Sequence, residues 1–257
     1  MNQTLPVWRR VGIDLRLLLM CVLLAALGIG FHILSGGVFL SPENLYNVAQ
    51  QTAVVGIVST VMVLIIVARH IDLSVGSVMG FVGVLIAYLQ YTSGWSWQTA
   101  CLAGLAVALL VSIYQGWLTA VLGVPSFVVT LGGLMSFRGA AFLVADGKTQ
   151  PVNDEFFQRL GGGYDGGIGT IWTWALAAFV AVVLVARMLQ RRRTRVRHGM
   201  PVEPLWLELA LLVVPIAVVF AFAWVMNRYQ INGKDEAQGL PIPVLIWAVV
   251  AVVLSFL

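Results

Sequence analysis

The chain has 257 residues, of which 60% are hydrophobic and 10% charged, with a formal net charge of +4. A water-soluble domain carries roughly 25% charged residues, and a mean hydropathy of +0.94 is too high for one water-soluble core to hide. These values exclude an ordinary soluble domain and leave a polytopic membrane protein, because apolar runs of about 20 residues each suffice to cross a bilayer.

Taken in chain order, spans are predicted near Leu17 to Gly37, Val48 to Ala68, Val75 to Tyr91, Trp97 to Val121 and Phe127 to Val144, then at Ile171 to Leu189, Leu205 to Met226, and from Ile242 onward. The expected fold is therefore all-α, a transmembrane helical bundle of about eight spans. The last run is still apolar at Leu257, so the eighth span is expected to be cut short. Residues 1–257 are then expected to form a single transmembrane domain, incomplete at its C-terminal side. Arg9, Arg10 and Arg16 lead into the first span, yet no small-residue cleavage site ends it and further spans follow. That pattern describes an uncleaved first helix rather than a secretory signal.

Orientation follows from the basic residues. Arg9, Arg10, Arg16, Arg69, Arg187, Arg191, Arg192, Arg193, Arg195 and Arg197 all fall on one side of the eight-span arrangement. The opposite side holds Lys148, Arg159, Arg228 and Lys234 among Glu43, Asp146, Asp154, Glu155, Asp165, Asp235 and Glu236. The N-terminus is thus expected to be cytoplasmic and the acidic side external. The arginines account for topology and contact with membrane lipid, and they point to no nucleic-acid partner. Trp95, Trp97, Trp172, Trp174 and Trp206 sit at span ends, where indole rings prefer the headgroup level.

Enzyme motifs fail. Gly147-Lys148-Thr149 lacks the upstream glycine of a phosphate-binding loop, since Phe142 stands there. Gly161, Gly163 and Gly166 match the spacing of a dinucleotide fingerprint but follow a polar loop instead of a strand, and read as a flexible turn. His32, His70 and His198 are scattered, and Cys21 and Cys101 lie inside apolar runs, so no metal site, cofactor or disulfide framework is indicated. No catalytic residue is assigned.

The polar residues at membrane depth are of another kind. Gln50, Gln51 and Thr52 open the second span, Ser59 and Thr60 lie near its middle, and Ser126 and Thr130 begin the fifth. Neutral amides and hydroxyls suit an uncharged polyhydroxy solute and avoid the cost of buried charge. These seven are candidate path residues, with interhelical bonding or hydroxyl-to-carbonyl bonding as the alternative. Between the second and third spans lies a polar break, RHIDLSVGS, in which Asp72 or Ser74 is placed to accept backbone N–H groups at the start of the third helix. Gly76 is expected to permit close backbone approach there, with Ser77 beside it. The loop from Ala145 to Thr170 contains the amphipathic NDEFFQRL, whose Phe156 and Phe157 are candidate docking anchors.

Three segments together, IDLSVGSVMG from Ile71, NLYNVAQQTAVVGIVSTVMVLII from Asn44 and VPSFVVTLGGLMSFRG from Val124, resemble the permease subunits of bacterial ABC importers for monosaccharides. Ala68-Arg69-His70, the basic insertion RRRTRVRHGMPVEP and GLPIPVLIW from Gly239 resemble the xylose permeases in particular. The resemblance implies an inner-membrane translocation subunit that performs no chemistry. It further implies a second permease subunit, forming a homodimer, two cytoplasmic ATPase subunits and a periplasmic sugar-binding protein. The alternative is a gradient-driven secondary transporter or channel. Such a carrier should place acids or broken helices near mid-membrane, whereas here the acids cluster at span ends.

Overall fold

A computed structural model describes residues 15–152, 154–163, 165–200, 204–231 and 236–255. Arg9, Arg10, Asn153, Lys234, Asp235 and Leu257 lie outside the described residues. Nine helices are described: α1 Leu15–Leu34, α2 Pro42–Val67, α3 Val75–Tyr91, α4 Trp97–Ala120, α5 Ser126–Ala145, α6 Glu155–Leu160, α7 Thr170–Arg197, α8 Leu205–Met226 and α9 Ile242–Leu254. Only isolated bridges, Gly167 with Pro241 and Gln230 with Ala237, interrupt the helical pattern among the described residues. Helices α2, α4, α5, α7 and α8 are long and apolar enough to cross a membrane, and α1, α3 and α9 are shorter apolar helices. The protein is a polytopic helical membrane bundle.

Two ends differ from the sequence expectation for local reasons. Helix α2 begins six residues before Val48, because the Ser41 hydroxyl accepts the Asn44 N–H at 3.3 Å and Pro42 suits the first helical position. Helix α7 runs past Leu189 to Arg197. Arginine is a good helix former, so the helix continues where the apolar run stops.

The chain divides into two compact units, one of Met1–Val48 with Leu176–Ala237 and one of Ala49–Ala175 with Gln238–Leu257. In the first, the α1–α2 turn is held by Leu40 N–H donating to His32 Nδ1 at 3.2 Å and by the Asn44 amide donating to the Phe39 carbonyl at 2.7 Å. Tyr46 is buried and lies against Tyr229, with ring centroids 4.5 Å apart. Burial, and secondarily the Glu43 carboxylate, raises the Tyr229 phenol above its ordinary range.

In the second unit, α3 packs against both α5 and α4, and α4 against α5. The Trp247 ring of α9 occupies the space that a side chain at Gly56 of α2 would need. Its Nε1–H donates to Thr60 Oγ1 at 3.1 Å while that hydroxyl donates to the Gly56 carbonyl at 2.7 Å. The glycine-rich segment before α7 is also fixed. Ile168 and Gly169 donate N–H bonds to the carbonyls of Leu240 and Gln238 at 3.0 and 2.9 Å, and Ile242 N–H returns to Gly166 at 2.9 Å. Thr173 Oγ1 accepts the Leu240 N–H at 2.8 Å and donates to Gly169 at 2.8 Å. Gly239, at φ 70°, supplies the left-handed turn this pairing requires. The expected flexible turn is instead a paired one, closed by a segment some 70 residues away in sequence.

Helix α2 ends with Arg69 at φ 62° and His70 N–H bonded to the Ile65 carbonyl at 3.0 Å, the left-handed termination usually made by glycine. A Cβ in that conformation costs about 1 kcal/mol or more. Arg69→Gly should therefore raise the apparent melting temperature of the detergent-solubilised protein, and an unchanged or lower value would show that the arginine side chain offsets its backbone strain.

Candidate functional site

The polar break between α2 and α3 is a chain segment that leaves the helical hydrogen-bond pattern, so several of its N–H and C=O groups need other partners. Those of Ile71 are met from α5. Ile71 N–H donates to Ser126 Oγ at 3.2 Å, and Thr130 Oγ1 approaches the Ile71 carbonyl at 3.3 Å and the Ser126 carbonyl at 2.9 Å. Ser126 starts its helix after Pro125, which positions its hydroxyl at the helix mouth, and Thr130 lies one turn further on, buried.

The segment then enters α3 through a second set of bonds. Asp72 Oδ1 accepts from both Ser74 N–H and Ser74 Oγ–H, each at 2.7 Å. Ser74 is fully buried, and its oxygen lies 3.2 Å from the side-chain amide of Gln115 on α4. A hydroxyl has one proton, and the short contact to a carboxylate claims it. The amide NH₂ of Gln115 is then the donor to Ser74. Gly133 of α5 closes the junction, since a side chain there would collide with Gln115 and Ser74. Three helices thus meet at one buried serine.

Several sequence expectations change in detail. Asp72 binds the N–H of Ser74, the residue before the helix, and the Ser74 side chain makes no cap to the first turn of α3. Gly76 faces open space, so the close approach expected there belongs to Gly133. Ser77 is half-buried in the first turn of α3. Gln115 was not singled out, because one amide inside the run LLVSIYQGWL carries no pattern beyond its own polarity.

The other candidate path residues do not form one surface. Positions seven apart on a helix share a face, so Thr52 and Ser59 make an exposed stripe on α2 with Gln51 beside it. Thr60 is engaged with Trp247. Gln50 packs over Gly162, its Nε2 buried without a described partner.

At the opposite end of α3, α6 is anchored to the start of α4. Asp154 Oδ1 accepts the Phe156 N–H at 2.9 Å, and Phe156 stacks on Trp97 with centroids 4.1 Å apart. Phe157 meets Phe156 edge-on at 5.8 Å, and Phe156 remains 42% exposed. A concavity of about 420 Å³ beside them is lined by Tyr91, Trp95, Trp97, Gln90 and Asp154.

A polar break pinned at the buried Ser74 by neighbouring helices sits within an apolar membrane bundle, and comparison with known proteins gives the class. The family described as "Branched-chain amino acid transport system / permease component" matches residues 44–228, and the chain belongs to that family. It is 29% identical over 246 residues to the xylose transport system permease protein XylH of Haemophilus influenzae, covering 96% of this chain and 63% of that protein. Identity to XylH of Escherichia coli is 28% over 235 residues, 91% of this chain and 57% of the relative. The fructose import permease protein FrcC of Rhizobium meliloti is 32% identical over 126 residues, 49% of this chain and 35% of that protein. The chain therefore spans about three-fifths of the length of the xylose permeases it matches. No solved structure gives a significant match.

If the clasp is structural, Asp72→Asn should retain most of the acceptor function. Asp72→Ala should lose roughly 1 kcal/mol and reduce the amount of folded protein recovered from membranes. Thr130→Val should do the same while Thr130→Ser does not. Normal protein levels in Asp72→Ala with transport abolished would place Asp72 on the solute path instead.

Proposed function

We propose that this chain is the membrane-spanning subunit of an ATP-driven importer that moves a monosaccharide, xylose or a similar pentose, across the bacterial inner membrane by alternating access. The observation that carries this reading is similarity to xylose permeases along 96% of the chain, including the polar break and the segment that clasps it. The subunit has no catalytic role of its own. Two cytoplasmic ATPase subunits supply the energy, a periplasmic binding protein delivers the sugar, and a second copy of the permease completes the pathway. Segregation of the arginines supports a cytoplasmic N-terminus.

Within this reading, Gln51, Thr52 and Ser59 are the path residues, since they are exposed on α2 and no hydrogen bond described in the structure engages them. Ser126, Thr130 and Thr60 hold the scaffold. Deleting this gene alone should abolish entry of labelled xylose while leaving labelled leucine uptake intact. Loss of leucine uptake with unaffected xylose would overturn the sugar reading. In the restored system, Thr52→Val with Ser59→Ala should lower uptake severalfold at unchanged membrane abundance.

Helix α6 is the proposed seat of the binding protein, because the Trp97 stack fixes Phe156 while leaving much of its ring uncovered. Phe156→Ala with Phe157→Ala should reduce ATPase stimulation severalfold at limiting binding protein, and a cysteine introduced by Glu155→Cys should react with an impermeant reagent from outside. Full stimulation, or labelling only from inside, would remove α6 from this role.

A further inference from the structure

In the first unit a cleft of about 870 Å³ lies between α7 and α8. One wall carries Arg187, Arg191 and Arg195, spaced four residues apart and therefore stacked along one side of α7. The facing wall carries Leu207 and Leu211 of α8. One carboxylate, Glu208, also lines the cleft among the described residues, and Arg192 holds it at 2.8 Å. The acid is thus neutralised, and three guanidinium groups have no anionic partner among the described residues.

Depth identifies what fits. From Ile171, Arg187 lies about 24 Å along the helix and Arg195 about 36 Å, against a hydrocarbon core about 30 Å thick. The arginine row straddles the boundary between acyl chains and headgroups, and the leucines of α8 begin at the same boundary. A ligand seated there meets cations at one end and apolar side chains at the other.

We infer that this cleft is a binding site for an anionic phospholipid, its phosphate held by Arg187, Arg191 and Arg195 and its acyl chains lying against Leu207 and Leu211. Guanidinium groups match phosphate oxygens in charge and geometry, and basic pockets between membrane helices are suited to multiply charged lipid headgroups. A free phosphate would satisfy the arginines but leave the apolar wall unfilled. The inference rests on the membrane bundle and is independent of the transported solute.

The test is lipid titration of the purified, detergent-solubilised protein, read by native mass spectrometry and by thermal shift. Cardiolipin should bind and raise the melting temperature, whereas phosphatidylcholine should not, and millimolar inorganic phosphate should not displace the lipid. Arg187→Gln with Arg191→Gln should weaken cardiolipin binding by about tenfold or more. Arg193→Gln with Arg197→Gln removes the same charge from α7 outside the cleft and should leave binding within about twofold. Equal losses in the two double variants would show diffuse surface attraction and overturn the site. So would absence of cardiolipin binding to the wild-type protein, or displacement by phosphate alone.

Discussion

The junction of α3 with α4 and α5 depends on pairing the polar groups of Ile71 and Ser74 within the protein. A helix pairs its own N–H and C=O groups, but a chain that leaves one helix and enters another at membrane depth exposes them. Here side chains of two other helices answer part of that need: Ser126 of α5 takes the Ile71 N–H, Thr130 Oγ1 lies 3.3 Å from the Ile71 carbonyl, and Gln115 of α4 bonds the Ser74 hydroxyl. Helix α3 packs against α4 and α5 at this point, and the absence of a side chain at Gly133 leaves room for Gln115 and Ser74 to meet.

Most of the remaining surface is apolar and unburied. Leu102, Leu105, Leu109 and Ile113 on α4 each expose more than half of their surface. In water such a helix would aggregate; in a bilayer it is solvated by acyl chains, and the hydrophobic effect no longer drives helices together. That shifts the weight of specificity to a few polar contacts, such as Trp247 with Thr60 and Thr173 with Leu240, which select one arrangement among many apolar ones.

Much of the bundle was legible because a run of about 20 apolar residues has few alternatives. The spans at Val75–Tyr91 and Leu205–Met226 match the helices residue for residue. Errors arose where hydropathy and helix formation part company: Ser41-Pro42 starts α2 in polar sequence, and the arginines prolong α7 beyond the membrane. The candidate site was half visible. Hydroxyls near the break were recognisable as polar residues at depth, but hydropathy does not say whether a hydroxyl faces a solute or a peptide group 55 residues away, as Ser126 does. The paired glycine segment was hidden for the same reason, its partners lying at Gln238 to Ile242.

The length of α7 limits how the protein can move. Its 28 residues extend about 42 Å, some 12 Å more than the hydrocarbon thickness, and the surplus, Gln190 to Arg197, is mostly arginine. Sliding this helix inward by one turn would draw Arg191 and its neighbours into the acyl layer; sliding it outward would lift the apolar residues after Trp172 into the headgroups. Charge at one end and indole rings at the other act as stops on a piston. These stops resist translation of helix α7 along the membrane normal more than they resist tilt or rotation, so the helix keeps its depth.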